Sequence, residues 1–227
     1  MGVIGGLGPE ATLDFYAKLL NKSNAKSDQE HFHVIINSNP KVPNRHASIA
    51  GTGPSAAPAL LSSAQALQRS GADFLLMVCN AGHAYQKDIE EAVDLPFISM
   101  IEVTVAACLS QNPDLQTVGI LATDGALAAK LYQNEFDKHN IKCLYPNSQQ
   151  QKKLMELVFK VKANDLSQNV KDQMQGLANS LIKQGAQIIV AACTEIPLIL
   201  EQKDITQPLI SSTDALVDAS IKYLREN

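Results

Sequence analysis

Two stretches of the chain, GADFLLMVCN over residues 71–80 and GAQIIVAACT over residues 185–194, follow the same pattern. Each begins with Gly-Ala and continues through an apolar run to a cysteine, and Cys79 and Cys193 are 114 residues apart. Continuous apolar runs of this length are typical of strands buried on both faces of a parallel sheet. The repeat therefore predicts two copies of one unit, each with a buried strand that ends at a cysteine.

The likeness between the two halves extends outward from these strands. LPFIS at 95–99 is similar to PLISS at 208–212, and GVIGG at 2–6 is similar to GILAT at 119–123. Between the apolar runs lie segments whose apolar residues recur at helical spacing. This alternation of strands and helices indicates an α/β protein. We expect strands over 2–5, 33–37, 73–79, 95–100, 117–122, 141–145, 187–193 and 208–210. We expect helices over 10–23, 56–71, 84–93, 102–111, 126–139, 150–163, 167–184 and 214–225.

The predicted architecture is two pseudo-symmetric α/β domains. Each is a mostly parallel sheet flanked by helices, and the site lies in the cleft between them. A length of 227 residues fits two small domains. Because the halves meet near residues 101–104, we expect an N-terminal domain of residues 1–102 with 209–227. Residues 103–208 then form the C-terminal domain.

The composition excludes several classes of protein. Hydrophobic residues make up 45% of the chain and charged residues 19%, a balance typical of a folded domain with an ordinary core. A net charge of −4 without a Lys/Arg cluster argues against nucleic-acid binding. The longest apolar stretches are far shorter than the roughly 20 residues of a membrane span. The start of the chain shows no secretory pattern, so we expect a cytoplasmic protein that binds neither membrane nor nucleic acid.

The four cysteines are widely spaced, without a CxxC or CxH pattern. This spacing argues against a zinc site and against a disulfide framework, so reduced thiols and no metal are expected. Cys108 falls within a predicted helix and Cys143 within a predicted strand, and both are interpreted as core residues. Cys79 and Cys193 differ from them because each ends a buried strand.

The positions of Cys79 and Cys193 suggest a reaction. Ligands bind at the carboxyl ends of parallel strands, and pseudo-symmetry would place the two thiols on opposite sides of one small substrate. Inversion of a stereocentre needs a base on one face and an acid on the other. A thiol with a reference pKa of about 8.5 can serve as either. The alternative is that both cysteines are small buried hydrophobic residues.

Five motifs together resemble the aspartate/glutamate racemase superfamily, and most closely its aspartate racemase branch. They are GGLGPEAT at 5–12, VPNR at 42–45, VCNAGH at 78–83, ISMIE at 98–102 and AACTEIPL at 191–198. The resemblance covers nearly the whole chain. It implies a cofactor-independent isomerase that interconverts L- and D-aspartate, or a close acidic amino acid, by proton transfer between two cysteines. It also implies a homodimer.

The resemblance assigns roles by position. Cys79 and Cys193 would be the catalytic pair, and the expected substrate contacts are Leu7 in the pocket wall, Asn80, Thr123 and Thr194 at the α-carboxylate, and Arg45 and Lys162 at the side-chain carboxylate. Ala81 also belongs to this set, because it stands where aspartate racemases have a threonine that follows Cys-Asn. The methyl group removes a hydroxyl that would bond the substrate carboxylate.

Several interpretations stay open at this point. Asn80 and Thr194 could cap helices, although capping is compatible with anion binding. His83 could be a base, but a packed or capping histidine is the favoured interpretation. Glu195 could orient a substrate ammonium or a thiol, or be a buried structural carboxylate. Isomerisation or decarboxylation of a small dicarboxylate, and catalytically weak binding of acidic metabolites, are the alternative functions.

Overall fold

The computed structural model describes residues 1–226, with two four-stranded sheets in which every paired strand is parallel. The first sheet has the order β2-β1-β3-β4 and contains β1 (Gly2–Gly5), β2 (Ile35–Ser38), β3 (Leu75–Met77) and β4 (Phe97–Ile98). The second has the order β6-β5-β7-β8 and contains β5 (Thr117–Ala122), β6 (Lys142–Leu144), β7 (Ile188–Ala192) and β8 (Leu209–Ser211). Both halves follow the same order, which confirms the predicted two-part parallel α/β fold.

Helices cover the faces of both sheets. They are α1 (Pro9–Ser23), α2 (Arg45–Ile49), α3 (Ala57–Arg69), α4 (Gln86–Ala92), α5 (Met100–Gln111), α6 (Asp124–Ala128), α7 (Leu131–Asp137), α8 (Ser148–Lys162), α9 (Gln168–Lys183) and α10 (Ser212–Glu226). Short 3-10 turns lie at Asp28–Glu30, Ala81–Tyr85, Ile196–Leu198 and Gln202–Asp204. Among residues 1–226, no helix has both the length and the apolar character needed to cross a bilayer.

Two predicted helices differ from the structure. The helix expected over 126–139 is divided into α6 and α7, because Lys130 adopts a left-handed conformation with φ of 51°. The helix expected over 84–93 begins only at Gln86, after a 3-10 turn over Ala81–Tyr85. That turn is fixed by the His83 ring, which bonds the backbone on both sides of it. Tertiary contacts, which periodicity does not report, decide this boundary.

The last part of the chain joins the two halves. β8 pairs with β7 in the second sheet, so Leu209–Ser211 lie in that sheet. α10 then packs on α1 and α5, so the chain returns to the first half at Ser212. The predicted domain boundaries at 102 and 209 stay a prediction.

One hydrophobic cluster spans both halves of the molecule. It includes Leu75 and Met77 from the first sheet together with Ile120 and Val190 from the second, all of them buried. Two further clusters each belong mainly to one half, and residues of α10 complete the one beside β1 and β3. The shared cluster holds the two sheets against each other, so the carboxyl ends of their strands meet at one cleft.

Candidate active site

A cavity of about 20 Å³ lies at this cleft, with room for about one water molecule. The residues that line it follow β1, β3, β5 and β7 or project from α2 and α8. All nine predicted site residues are among them, together with two more: Leu7, Arg45, His46, Cys79, Asn80, Ala81, Thr123, Lys162, Cys193, Thr194 and Glu195. The structure therefore brings the whole predicted set together, while the role of each residue stays a prediction.

Cys79 follows β3 and is 8% exposed. Its carbonyl oxygen accepts a hydrogen bond of 2.8 Å from Nδ1 of His83, and Nε2 of the same ring accepts one of 3.0 Å from the Met100 amide. Burial lowers the pKa of His83 to about 4, so the ring is neutral at physiological pH. Both ring nitrogens are engaged with backbone groups. His83 therefore positions the chain around Cys79, as the packed-histidine interpretation expected.

Cys193 follows β7 and is enclosed by polar partners. Its thiol donates a hydrogen bond of 2.9 Å to Oε2 of Glu195, and the Thr194 hydroxyl donates one of 3.3 Å to the same oxygen. Lys162 from α8 forms an ion pair with Oε1 of that carboxylate. Burial raises the pKa of the Cys193 thiol, the negative charge of Glu195 raises it further, and Lys162 opposes both. The arrangement keeps Cys193 protonated.

Glu195 therefore orients a thiol, which was one of the interpretations left open by the sequence. It was not among the predicted site residues, although its place two positions after Cys193 was the available signal. Lys162 is also committed to it. Burial alone lowers the pKa of Lys162, but Glu195, Cys193 and Cys79 outweigh that effect and the net shift is upward, so the side chain stays an ammonium.

Arg45 is the second cation at the cavity, at the start of α2. Its Nη1 donates to the carbonyl oxygens of Val42 at 3.2 Å and Pro43 at 3.1 Å, and Nη2 donates to that of Leu7 at 2.6 Å. The Nε group is buried and has no hydrogen-bond partner within residues 1–226. A guanidinium has five N–H donors. Arg45 thus supports the glycine-rich loop and keeps donors available for an anion.

His46 also lines the cavity, and the sequence analysis did not identify it. Its Nδ1 accepts a hydrogen bond of 3.1 Å from the Gly125 amide, which connects α2 of the first half to α6 of the second. Burial lowers the pKa of His46, and the charges of Arg45 and Lys162 lower it further. No motif or spacing marked this residue, because its partner is distant in sequence.

Asn80 is held by a chain of hydrogen bonds that crosses between the halves. Its Oδ1 accepts a bond of 2.5 Å from the Tyr132 hydroxyl, and its Nδ2 donates one of 2.9 Å to Oγ of Ser212. Ser212 in turn donates to the Ala191 carbonyl oxygen at 3.0 Å. The Asn80 side chain caps no helix, so the capping interpretation is wrong for it. One amide N–H stays available to a ligand.

Three further residues complete the wall. Ala81 is 5% exposed and presents a methyl group, as the sequence requires. Thr123 precedes α6, and its side chain makes no capping hydrogen bond to that helix. The Thr194 hydroxyl donates to Glu195. The residue that caps the following 3-10 turn is Glu195, so Thr194 is not a cap. The two threonines line the cavity together with two thiols, an amide, two cations, a carboxylate, an imidazole and two apolar side chains.

The other two cysteines lie outside this cavity. Cys108 is fully buried on α5, and Cys143 is half-buried on β6. Burial raises the pKa of Cys108 to about 12 and that of Cys143 to about 11, so both stay protonated and unreactive. All four cysteines are free thiols. Within residues 1–226, no group of three or more His, Cys, Asp or Glu side chains is arranged to hold a metal ion.

Comparison with known proteins shows which family the chain belongs to. The sequence model described as Asp/Glu/Hydantoin racemase matches residues 4–220. The chain belongs to that racemase family. Two cysteines at equivalent strand ends, facing one small cavity, are consistent with an isomerase of this family.

Individual racemases are similar over nearly the full length. The Picrophilus torridus aspartate racemase structure superposes with a TM-score of 0.88 at 27% identity, covering 98% of this chain and 93% of that one. The broad specificity amino-acid racemase RacX of Bacillus subtilis is 24% identical over 97% of this chain and 96% of its own length. A glutamate racemase from Francisella tularensis, solved with D-glutamate, shares the fold with a TM-score of 0.74 at 19% identity.

Proposed function

We propose that this racemase interconverts L- and D-aspartate, or a close acidic amino acid, by proton transfer between Cys79 and Cys193. The observation that carries the proposal is that both thiols end equivalent strands and line one cavity. The excess of positive charge at the cavity supports an acidic substrate. Lys162 and Arg45 are cations there, while Glu195 is the one acidic side chain in the lining.

The two thiols supply a complete proton-transfer cycle. Cys79 as a thiolate removes the α-proton, so the Cα–H bond breaks and an S–H bond forms. The electron pair left on the α-carbon then takes the proton of the Cys193 thiol from the opposite face, which leaves Cys193 as a thiolate. The reverse direction uses the same groups in exchanged roles. In this proposal Thr123, Thr194 and the remaining Asn80 N–H bond the α-carboxylate, which lowers the free energy of the carbanion-like transition state.

Three features of the sequence interpretation belong to this proposal. The cycle uses neither pyridoxal phosphate nor a metal, because the thiols provide both the acid and the base. Four free thiols in one chain are typical of the reducing cytoplasm, where we place the protein. The resemblance to aspartate racemases supports a homodimer, and the acidic amino acid is the proposed small-molecule partner.

The test is an exchange experiment in deuterium oxide after exhaustive dialysis against a chelator. Each enantiomer of aspartate and glutamate is incubated with the enzyme, the α-proton is followed by NMR, and the products are separated by chiral chromatography. The proposal predicts α-deuterium incorporation together with inversion for at least one acidic amino acid. Activity that returns only after pyridoxal phosphate or a metal is added would contradict the cofactor-independent cycle.

The same experiment, extended to a malonate and to maleate, separates the alternatives left open by the sequence. A decarboxylase would release CO₂ from a malonate, and a dicarboxylate isomerase would convert maleate. A binding protein would shift the melting temperature with acidic metabolites without exchanging any proton. Absence of α-proton exchange with every amino acid tested would reject the racemase proposal.

A wider substrate range is a second candidate, favoured by an outer cavity. The inner cavity has a volume of about 20 Å³, and an adjoining cavity of about 190 Å³ shares Leu7, Arg45, His46 and Lys162 with it. Phe159 on α8, which is 49% exposed, contributes an apolar wall. A longer side chain could extend into this space. Turnover of neutral amino acids that falls in Phe159→Ala, while aspartate turnover persists, would support it.

A further inference from the structure

The two halves differ at one position beside each reacting sulfur. Ala81 stands two residues after Cys79, and Glu195 stands two residues after Cys193, so the two positions are equivalent in the internal repeat. Both residues are buried and both line the cavity. One cysteine therefore has a carboxylate neighbour and the other has a methyl group. The reaction is symmetric, but its proton-transfer groups are not.

The Glu195 carboxylate is buried and is held in place by three neighbouring side chains and by the glycine-rich loop. It is 4% exposed and accepts from the Cys193 thiol, the Thr194 hydroxyl and the Lys162 ammonium. Gly8 covers it from above, because a Cβ at that position would lie 2.6 Å from Oε1 of Glu195 and 3.4 Å from Nζ of Lys162. The glycine-rich loop thus has room for the ion pair and for nothing larger.

This geometry fixes the proton on Cys193 when the site is empty. Loss of that proton would place a thiolate within 2.9 Å of a carboxylate oxygen, and like charges at such a distance repel strongly when buried. The other charged or titratable groups around Glu195 are Lys162 from α8, Arg45 and His46 from α2, and Cys79 across the cavity. Lys162 is directly paired with the carboxylate, and its positive charge lowers the pKa of Cys193 less than burial and Glu195 raise it.

We propose, on the basis of the racemase function above, that Glu195 is a positioning residue that makes Cys193 the resting acid of the pair. The position equivalent to Glu195 beside Cys79 is the methyl group of Ala81, so Cys79 is assigned as the base of the pair. The empty enzyme is then poised for the enantiomer that presents its α-proton to Cys79. The opposite enantiomer meets the unproductive protonation state and must wait for Cys193 to lose its proton to solvent.

The asymmetry has a defined kinetic form. Enantiomers are equal in free energy, so kcat/KM is the same in both directions. Unproductive binding lowers kcat and KM by one common factor, because the enzyme binds the substrate in a form that does not react. We therefore expect the enantiomer that reacts at Cys193 to show both a lower kcat and a lower KM.

The direct test follows the ionisation of Cys193 itself. Wild type and Glu195→Gln are alkylated with iodoacetamide across a pH series, and modification of each cysteine is mapped by mass spectrometry. The amide of Gln carries no negative charge and can donate a hydrogen bond to the thiolate. The pH at which Cys193 reaches half its maximal alkylation rate, here called the Cys193 midpoint, therefore falls. Its alkylation rate at fixed pH rises about tenfold for each unit of that fall.

Glu156→Gln is the matched control, because it makes the same change of charge on an exposed position of α8, away from the cavity. Its Cys193 midpoint stays at the wild-type value. Lys162→Gln is the second variant and has the opposite expected sign. Without the ammonium, the Glu195 charge acts unopposed and the midpoint rises. General loosening of the site would move both variants in the same direction.

A Cys193 midpoint in Glu195→Gln that is unchanged or raised would overturn the proposal, as would a fall in Lys162→Gln. In steady-state turnover, the two enantiomers differ in kcat and in KM by the same ratio. We expect this ratio to move toward one in Glu195→Gln and to stay at the wild-type value in Glu156→Gln. The alkylation result does not need turnover. An active enzyme with an unshifted midpoint refutes this inference alone, whereas a wild type without α-proton exchange refutes the proposed function.

Discussion

Ala81 is the residue at which this chain departs from the aspartate racemase pattern, and the structure places its methyl group in the cavity wall. The neighbouring Asn80 side chain cannot replace the absent hydroxyl fully, because Tyr132 and Ser212 already engage it. A substrate carboxylate at this side of the cavity therefore has few side-chain donors. The consequence for activity depends on whether the position tolerates a hydroxyl.

Ala81→Thr should increase activity on aspartate. A regained hydrogen bond of about 1.4 kcal/mol corresponds to roughly a tenfold rise in kcat/KM for aspartate. Ala81→Val is the matched control, because it has the shape of threonine without the hydroxyl. Steady-state rates with both enantiomers of aspartate and glutamate provide the measurement. A threonine variant no better than the valine variant would show that the absent hydroxyl is not what limits aspartate turnover.

The sequence was most informative about residues whose place follows from chain neighbours. Cys79 and Cys193 could be predicted because each ends an apolar strand, and the family resemblance added Arg45 and Lys162, which reach the same cavity. Tyr132 could not be predicted, because its bond to Asn80 joins residues 52 positions apart and depends on how the halves pack. His46 was missed for the same reason, since its partner Gly125 lies in the other half.

At the scale of elements, the glycine-rich loop between β1 and α1 shapes the cavity. Gly6 has φ of +79°, a left-handed conformation that favours glycine, and its amide donates to the Thr12 hydroxyl at 2.9 Å. Gly8 has an extended backbone, so any residue could adopt its conformation. Glycine is needed there because the Glu195–Lys162 pair lies directly beneath it.

Gly8→Ala should therefore damage activity more than stability. The new Cβ would displace the Glu195 carboxylate, and misplacement of a group beside the reacting sulfur costs on the order of 10²-fold in rate. Gly176→Ala in α9 is the control, because a Cβ there meets nothing within 4 Å. That variant should be as active as wild type and slightly more stable. Equal kcat/KM values for Gly8→Ala and wild type would contradict the close contact.

His83 connects the end of β3 to the start of α5, and its burial makes stability depend on pH. Its pKa in the folded protein is about 4, below the 6.5 of the unfolded chain, so the unfolded state binds more protons between these values. The contribution of neutral His83 to the free energy of unfolding is fully present above pH 6.5 and is lost as pH falls toward 4. The loss amounts to about 3 kcal/mol. Urea unfolding of wild type and His83→Asn across this range measures it, and a slope that persists unchanged in the variant would assign it elsewhere.

The elements themselves were predictable to different degrees. Apolar strands such as β5 and β7 were located within one or two residues, because burial on both faces leaves a continuous hydrophobic run. The break at Lys130 was not, since the segment ALAAKLY over residues 126–132 contains good helix formers without Gly or Pro. Contacts of α6 and α7 with the first half impose this break, and local propensity does not report them.

At the scale of the whole molecule, the site exists only where the two halves meet. The Tyr132 hydroxyl belongs to the second half and holds Asn80 of the first, while Ser212 joins both to β7 through Ala191. The shared hydrophobic cluster supports this interface from below. Substrate contacts on one side of the cavity are therefore positioned by the other side.

Tyr132→Phe should test this coupling. It leaves the buried Asn80 oxygen without its donor, at a cost of about 1–3 kcal/mol in stability, and it frees the amide to rotate. We expect KM for the amino acid to rise about tenfold or more, because Asn80 no longer presents its N–H in a fixed direction. Tyr145→Phe is the control, since its hydroxyl bonds Gln133 away from the cavity. Equal KM values in the two variants would show that the bridge does not position substrate.

The central claim is that the two thiols act on opposite faces of one α-carbon. The most direct measurement is α-proton exchange in deuterium oxide by Cys79→Ala and Cys193→Ala, with Cys143→Ala as the control outside the cavity. Racemisation should fall about 10³-fold in each of the first two variants. Each should still exchange the α-proton of one enantiomer only, and the two should choose opposite enantiomers. Near-normal racemisation by either variant, or exchange of the same enantiomer by both, would contradict the two-thiol account.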